Sequence, residues 1–193
     1  MLCTLWLQKN IPAQHDIGRY EFRWAFWHPF AALTVKRHLP EAMEVYKEVK
    51  QAKLLDTLEF GGKLDAFRHT FAMAWLSRVV KAEKLRKLGI AHEKSNKRQF
   101  KQLKLEFGER ADSLACEMDL RNNETGFAIG NSHRAETREE LKDLVLNEIK
   151  AGKAWYLKRN TAFRYVTCDG DVIDMDAWAG RWAVPKCLVR TNE

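Results

Sequence analysis

The sequence predicts a mainly α protein: a compact bundle of about five to six helices, followed by a small C-terminal β-hairpin or extended arm. Three observations predict it. Apolar residues recur at helical spacing from about residue 40 to residue 150. Glycine pairs, single glycines and a capping box punctuate that stretch. Beyond Gly152 the pattern changes to short aromatic and β-branched runs around an Asp169-Gly170 turn signal. A length of 193 residues suits one domain with a small appendage. We place the division between residues 1–152, the helical domain, and 153–193, the arm.

Residues 20–33 are rich in aromatics (Phe22, Trp24, Phe26, Trp27, Phe30), and Pro29 would end or kink a helix there. Pro40 fits the first position of a new helix over about 40–59, carrying Met43, Val45, Tyr46 and Val49. Gly61-Gly62 breaks the chain. A long helix over about 63–88 follows, with Gly89 as its C-cap, and then another over about 90–107. A further helix over about 111–121 could continue irregularly past Gly126. Thr137-Arg-Glu-Glu140 is a capping box opening a helix that closes near Gly152. In the arm, residues 155–157, 163–167 and 172–173 have strand-like composition, and Trp155, Trp178 and Trp182 would lay it on the helices.

Composition excludes several classes. No apolar run approaches the roughly 20 residues that span a bilayer. Met1–Leu7 is apolar but lacks the basic start and small-residue cleavage site of a signal peptide, so the expected location is the cytoplasm, or export by a route that needs no such signal. The four cysteines (Cys3, Cys116, Cys168, Cys187) form no CxxC pair, which argues against a zinc knuckle. They read first as four reduced, buried thiols, although Cys168 and Cys187 flank the arm's turn and could meet. Asp169, Asp171, Asp174 and Asp176 lack the spacing and closing Glu of an EF-hand and read as a polar turn.

The net charge of +7 is local. Residues 81–104 hold nine basic and two acidic residues, an excess of seven that equals that of the whole chain. Such a strip is either a solvated helix face or a surface for an anionic partner: an acidic protein, a membrane, or, less favoured, nucleic acid.

Three polar groups stand out. Asp65, Arg68 and His69 occur at i, i+3 and i+4 and so share one helix face, where an acid can orient an imidazole or simply form an ion pair. His92-Glu93 follows; Asn96 takes the place of the second histidine of an HExxH zinc motif. Asp119, Asn122 and Asn123 cluster within a turn, either as working groups or as a helix cap near Gly126. His133 follows in a loop and is the weakest of the candidates. The separations from His69 to His92 to Asp119 match a helix out and back, so adjacent antiparallel helices could bring all three groups together.

The segments Gly61-Gly-Lys-Leu-Asp-Ala-Phe-Arg-His69, Ala91-His-Glu93 and Met118-Asp-Leu-Arg-Asn-Asn-Glu-Thr-Gly126 resemble those of an uncharacterised bacterial domain family. Its members share a DAFRHxxW…HE…MDLxNNxxG pattern, and some lie in secreted or toxin-like proteins. The resemblance spans about Tyr20 to His133. It departs where an aromatic often follows the Arg-His pair closely; here Thr70-Phe71 follows and Trp75 comes later. The resemblance marks a working set without naming a reaction. The first expectation is a hydrolase, with His69, His92, Glu93 and Asp119 binding a divalent metal of unknown identity or acting as acid–base groups. Asp65, Arg68, Asn122 and Asn123 would complete the catalytic set, and the substrate would be an anionic phosphoester or lipid-linked molecule. The order His…His-Glu…Asp is similar to that of all-helical metal phosphohydrolases with His…His-Asp…Asp. The alternative is a non-enzymatic binding module in which these groups form a buried network and residues 81–104 contact the partner. An immunity or structural protein ranks last.

Overall fold

The computed structural model describes residues 18–102, 105 and 107–193. Met1–Leu7 and Cys3, together with Leu103 and Lys104 of the basic strip, lie outside the described residues. Among the described residues, six helices and one pair of short strands follow in order. They are α1 (Arg19–Trp27), α2 (Pro29–Gln51), α3 (Lys63–Ser77), α4 (Ala82–Lys101), α5 (Ser113–Ser132), α6 (Arg138–Lys150), β1 (Trp155–Leu157) and β2 (Leu188–Arg190). The mainly α class and the small C-terminal strand pair are as the sequence predicts.

Several element boundaries differ, each for a physical reason. Pro29 does end α1, but it also opens α2 at its first turn, so α2 begins eleven residues before Pro40. Pro40 sits inside α2, where it and Lys36, four residues back, are both exposed. Water can therefore take the carbonyl that proline leaves without a partner. The helix expected to reach 59 stops at Gln51, and residues 52–62 form turns. That segment supplies the cap of α3. The Asp56 carboxylate accepts the N–H groups of Lys63 and Leu64 at 2.7 and 3.0 Å. The long helix expected over 63–88 divides at residues 78–81, and Gly89 lies inside α4 rather than at a cap. A side chain at Gly89 would meet the Asn123 amide at 2.9 Å, so this glycine admits a close neighbour instead of stopping a helix. Likewise α5 runs unbroken through Asn122, Asn123 and Gly126 to Ser132. The capping box at Thr137 and Glu140 is present.

The core is organised around α3, eleven of whose fifteen residues are buried, so it contacts neighbours on every side rather than along one stripe. Phe67, Phe71 and Trp75 stack along it at 5.4 and 6.4 Å. One apolar cluster joins α3 to α2 and α6 through Val45, Val49, Leu141, Val145 and Ile149. A second joins α1, the start of α2 and α4 around Trp24, Leu85 and Phe127. A third seats the arm on the first half of α5 through Met118, Leu157, Tyr165 and Val184, with Trp155 and Trp178 packed against it. Trp182 meets Phe100 of α4 at 5.2 Å.

The closest approach is between α3 and α5. A methyl group at Gly126 would stand 2.3 Å from the Thr70 carbonyl oxygen, and one at Gly130 would stand 2.2 Å from that of Ala74. These two glycines, one turn apart, let the backbones touch. The pairing of Gly126 with Thr70 and of Gly130 with Ala74 and Ser77 makes α3 and α5 parallel. Helix α4 runs antiparallel to α5, with Arg86 beside Glu124 and Glu93 beside Cys116.

The arm differs from expectation in two ways. Its strands are 155–157 and 188–190, paired antiparallel as Trp155–Arg190, Tyr156–Val189 and Leu157–Leu188. Residues 163–173 contribute only isolated bridges, Tyr165 with Arg159 and Val166 with Val172, the second around the Asp169-Gly170 turn. And Cys168 is joined to Cys187 by a disulfide, so the expectation of four reduced thiols is overturned; Cys116 remains a buried thiol. The backbone bond from Cys187 N–H to the Val166 carbonyl, 2.9 Å, brings the two chain segments side by side. No described helix is long and apolar enough to cross a membrane.

Gly126→Ala should therefore destabilise the protein by about 1–3 kcal/mol, because the obstruction is backbone that can yield only by spreading the helices. Urea unfolding checks this, and an unchanged midpoint would show that the α3–α5 contact is looser than described.

Candidate metal centre at the α3–α5 crossing

The parallel crossing sets the first turns of α3 beside the first half of α5. Three side chains converge there. His69 Nε2 lies 3.5 Å from Asp65 Oδ1 and 3.3 Å from Asp119 Oδ1. One ligand atom from each of Asp65, His69 and Asp119 falls within 4.8 Å of the others, and the cluster could hold a metal ion. It is shielded from solvent: Asp65 is 2% exposed and Asp119 6%.

Asp65 is held firmly. Its Oδ2 accepts the Gly61 N–H at 2.7 Å, and its Oδ1 accepts from Arg68 Nε at 3.0 Å and Nη2 at 2.6 Å. The first turn of a helix also favours a negative side chain. The Arg68 guanidinium stacks over Phe107 at 4.9 Å. Tyr46 stands within the same electrostatic field. Burial, then the hydrogen bond to Glu59, keeps its phenol protonated far above the ordinary range, with Arg68 pulling weakly the other way. Glu59 in turn accepts from Tyr46 at 2.8 Å and pairs with Lys50 at 2.6 Å.

The other residues singled out from sequence go to different places. His92 and Glu93 diverge, as neighbours about 100° apart on a helix must. His92 turns to α1, where its Nδ1 is 3.2 Å from Glu21 Oε1. Glu93 turns inward, accepting from Asn96 Nδ2 at 3.0 Å and hydrogen-bonding to Cys116. Cys116 is one turn before Asp119 on α5, so Glu93 approaches the Asp65–His69–Asp119 cluster without being one of its three residues. Burial, then the charge and hydrogen bond of Glu93, push the Cys116 thiol far above its ordinary range and keep it protonated.

Asn122 clasps the arm: its Nδ2 donates to the Trp155 carbonyl at 2.9 Å and its Oδ1 accepts the Trp155 N–H at 2.8 Å. Its side-chain amide thus replaces a strand partner for β1. Asn123 is buried against Gly89. His133 pairs with Glu136 at 3.0 Å at the far end of α5, about 20 Å of helix from Asp119. Within the basic strip, Arg86 is paired with Glu124 and Lys87 with Glu83, while Lys94, Lys97, Arg98 and Lys101 are exposed. A cleft of about 340 Å³ lies on the arm, lined by Arg159, Tyr165, Ile173 and Asp174 among others, with none of the cluster residues in its wall.

Glu21 and Glu59 are partners that no sequence motif marks. Glu21 is the lone acid in an aromatic stretch and Glu59 sits in a turn, so neither has a local pattern. Burial raises the Glu21 carboxyl, but hydrogen bonds from His92 and Ser95 outweigh it and hold the group below its ordinary value of 4.5. A depressed carboxyl stabilises the fold above the unfolded-state value, and that contribution is lost as the pH falls through the folded-state value. The melting-temperature gap between wild type and Glu21→Gln should therefore be widest near about pH 6 and close toward about pH 3. A gap that stays constant over that range would show that the Glu21 carboxylate does not stabilise the α1–α4 contact.

Neither the curated proteins nor the solved structures gave a match to this chain. Residues 22–153 match the model of the family described as domain of unknown function DUF6973, and the chain belongs to that family.

Proposed function

We propose that the protein is a metal-dependent hydrolase whose divalent cation is held by Asp65, His69 and Asp119. The convergence of one imidazole nitrogen and two carboxylate oxygens carries this reading. Ligands about 2.0–2.1 Å from a tetrahedral zinc lie about 3.3–3.4 Å apart, close to the 3.3 and 3.5 Å seen from His69 Nε2. Three protein ligands also leave one position for a substrate or water.

A cation there would act as a Lewis acid and make water nucleophilic near neutral pH. The chain's own residues would do the rest. The Gly61 N–H and Arg68 fix the orientation of Asp65. Arg68 is the nearest cation for an anionic substrate, and the exposed lysines of α4 would raise the local concentration of such substrates. A phosphoester, free or lipid-linked, fits that charge. Glu93, buried near the cluster and hydrogen-bonded to Asn96 and Cys116, would assist a proton transfer through that network. The disulfide favours an oxidising compartment, which agrees with the secreted bacterial setting that the sequence resemblance implies and favours export over a cytoplasmic site of action.

One observation favours a second reading, a buried network that fixes helix packing. Asp65 already accepts three hydrogen bonds from Gly61 and Arg68, as a structural carboxylate would.

Metal analysis of the purified protein separates the two. The hydrolase reading expects about one zinc, manganese or similar ion per chain, lost in His69→Ala and Asp119→Asn while far-UV circular dichroism is retained. Metal-free wild-type protein that gains none on dialysis against zinc or manganese would leave the network reading in its place.

A further inference from the structure

The face formed by α1 and the start of α2 carries large apolar side chains that are exposed among the described residues. Phe22, Phe26, Trp27, Phe30 and Leu33 are 64, 68, 67, 84 and 67% exposed. Phe22 and Phe26 are one turn apart on α1, and Phe26 packs edge-on against Trp27 at 5.5 Å. Phe30 and Leu33 continue the face across the Pro29 junction at i, i+3 spacing. Single exposed apolar residues are ordinary, but five within twelve positions form a patch of the kind that marks an interaction surface.

Its charged surroundings identify the partner. Between residues 19 and 40 the exposed charged side chains are Arg19, Arg23, Lys36 and Arg37, all basic. The lone acid in that stretch, Glu21, turns inward to His92 and Ser95. Helix α1 packs on α4, whose exposed Lys94, Lys97, Arg98 and Lys101 add to the positive field; the exposed acid of α4, Glu83, is paired with Lys87 at 2.8 Å. Aromatic side chains interleaved with basic ones, and no exposed acid among them, suit the boundary of an anionic bilayer. The rings would enter the headgroup region and the cations would meet lipid phosphates. A protein partner would be expected to meet some acid on such a face for specificity; a lipid surface needs none.

We propose that this face docks on anionic membrane surfaces, with Phe22, Phe26, Trp27, Phe30 and Leu33 inserted and Arg19, Arg23, Lys36 and Arg37 against the headgroups. This goes beyond the metal-site reading and does not depend on it. The test is pelleting with sucrose-loaded vesicles in the presence of a chelator, comparing phosphatidylcholine alone with a phosphatidylcholine–phosphatidylglycerol mixture. Wild type should pellet with the anionic vesicles at least about tenfold more strongly than with the neutral ones, and less so at high salt. Phe26→Asp/Trp27→Asp should lose the binding while melting normally, since both side chains are exposed. Arg19→Glu/Arg23→Glu should lose most of it independently. Failure of wild type to pellet, equal pelleting with neutral vesicles, or unchanged pelleting of both variants would overturn the proposal. So would concentration-dependent dimerisation abolished by Phe26→Asp/Trp27→Asp without vesicle binding, which would give the face to a second copy of the chain.

Discussion

The structure depends on the close parallel crossing of α3 and α5. Gly126 and Gly130 have no room for a side chain, because the backbone of Thr70 and Ala74 occupies that space. The contact fixes the register of the two helices. Asp119 lies two turns before Gly126 on α5, and Asp65 and His69 lie just before Thr70 on α3. The register that places Gly126 on Thr70 therefore also brings Asp119 to His69. The polar cluster is not an independent feature set into a finished fold; it follows from the same contact that builds the core.

The neighbouring elements support that crossing from outside. Helix α4 lies antiparallel on α5, admitted by Gly89, and brings Glu93 to within a turn of the cluster. The arm is bound to α5 by both halves of the Asn122 amide and closed by the Cys168–Cys187 disulfide. A buried ion pair, Lys186 with Asp112 at 2.6 Å, ties the arm to the cap of α5, where Asp112 also accepts the Leu114 and Ala115 N–H groups. The first half of α5 is thus fixed by α3, α4 and the arm together. Such fixed placement is what a metal site would require of its ligands. The exposed aromatic and basic face lies instead on α1 and α2, so a surface contact and the buried chemistry occupy different parts of the molecule.

What the sequence reveals follows the range of the forces involved. Local signals read correctly: the Thr137–Glu140 capping box, the Gly61-Gly62 break, the i, i+4 pairing of Asp65 with His69, and the change of pattern after Gly152. Glycine and proline were ambiguous because their meaning is tertiary. Gly89 and Gly126 permit close packing and Pro40 sits on a solvated face, whereas in sequence each looks like punctuation. Asp65, His69 and Asp119 were legible as candidates through the motifs that carry them. That His92 would turn away from them and Glu93 toward them depends on helix phase relative to α1 and α5, which single-chain periodicity does not fix. In sequence Asn122 looks like a possible working residue, because an amide looks alike whether it holds a substrate or a strand.

The most direct test of the account is an anomalous difference map from crystals grown with zinc or manganese. A metal at the crossing gives a single strong peak about 2.0–2.2 Å from His69 Nε2 and from a carboxylate oxygen of each of Asp65 and Asp119. A map without a peak at that point, with His69 instead hydrogen-bonded directly to one carboxylate, would contradict it and leave the crossing as a packing device alone.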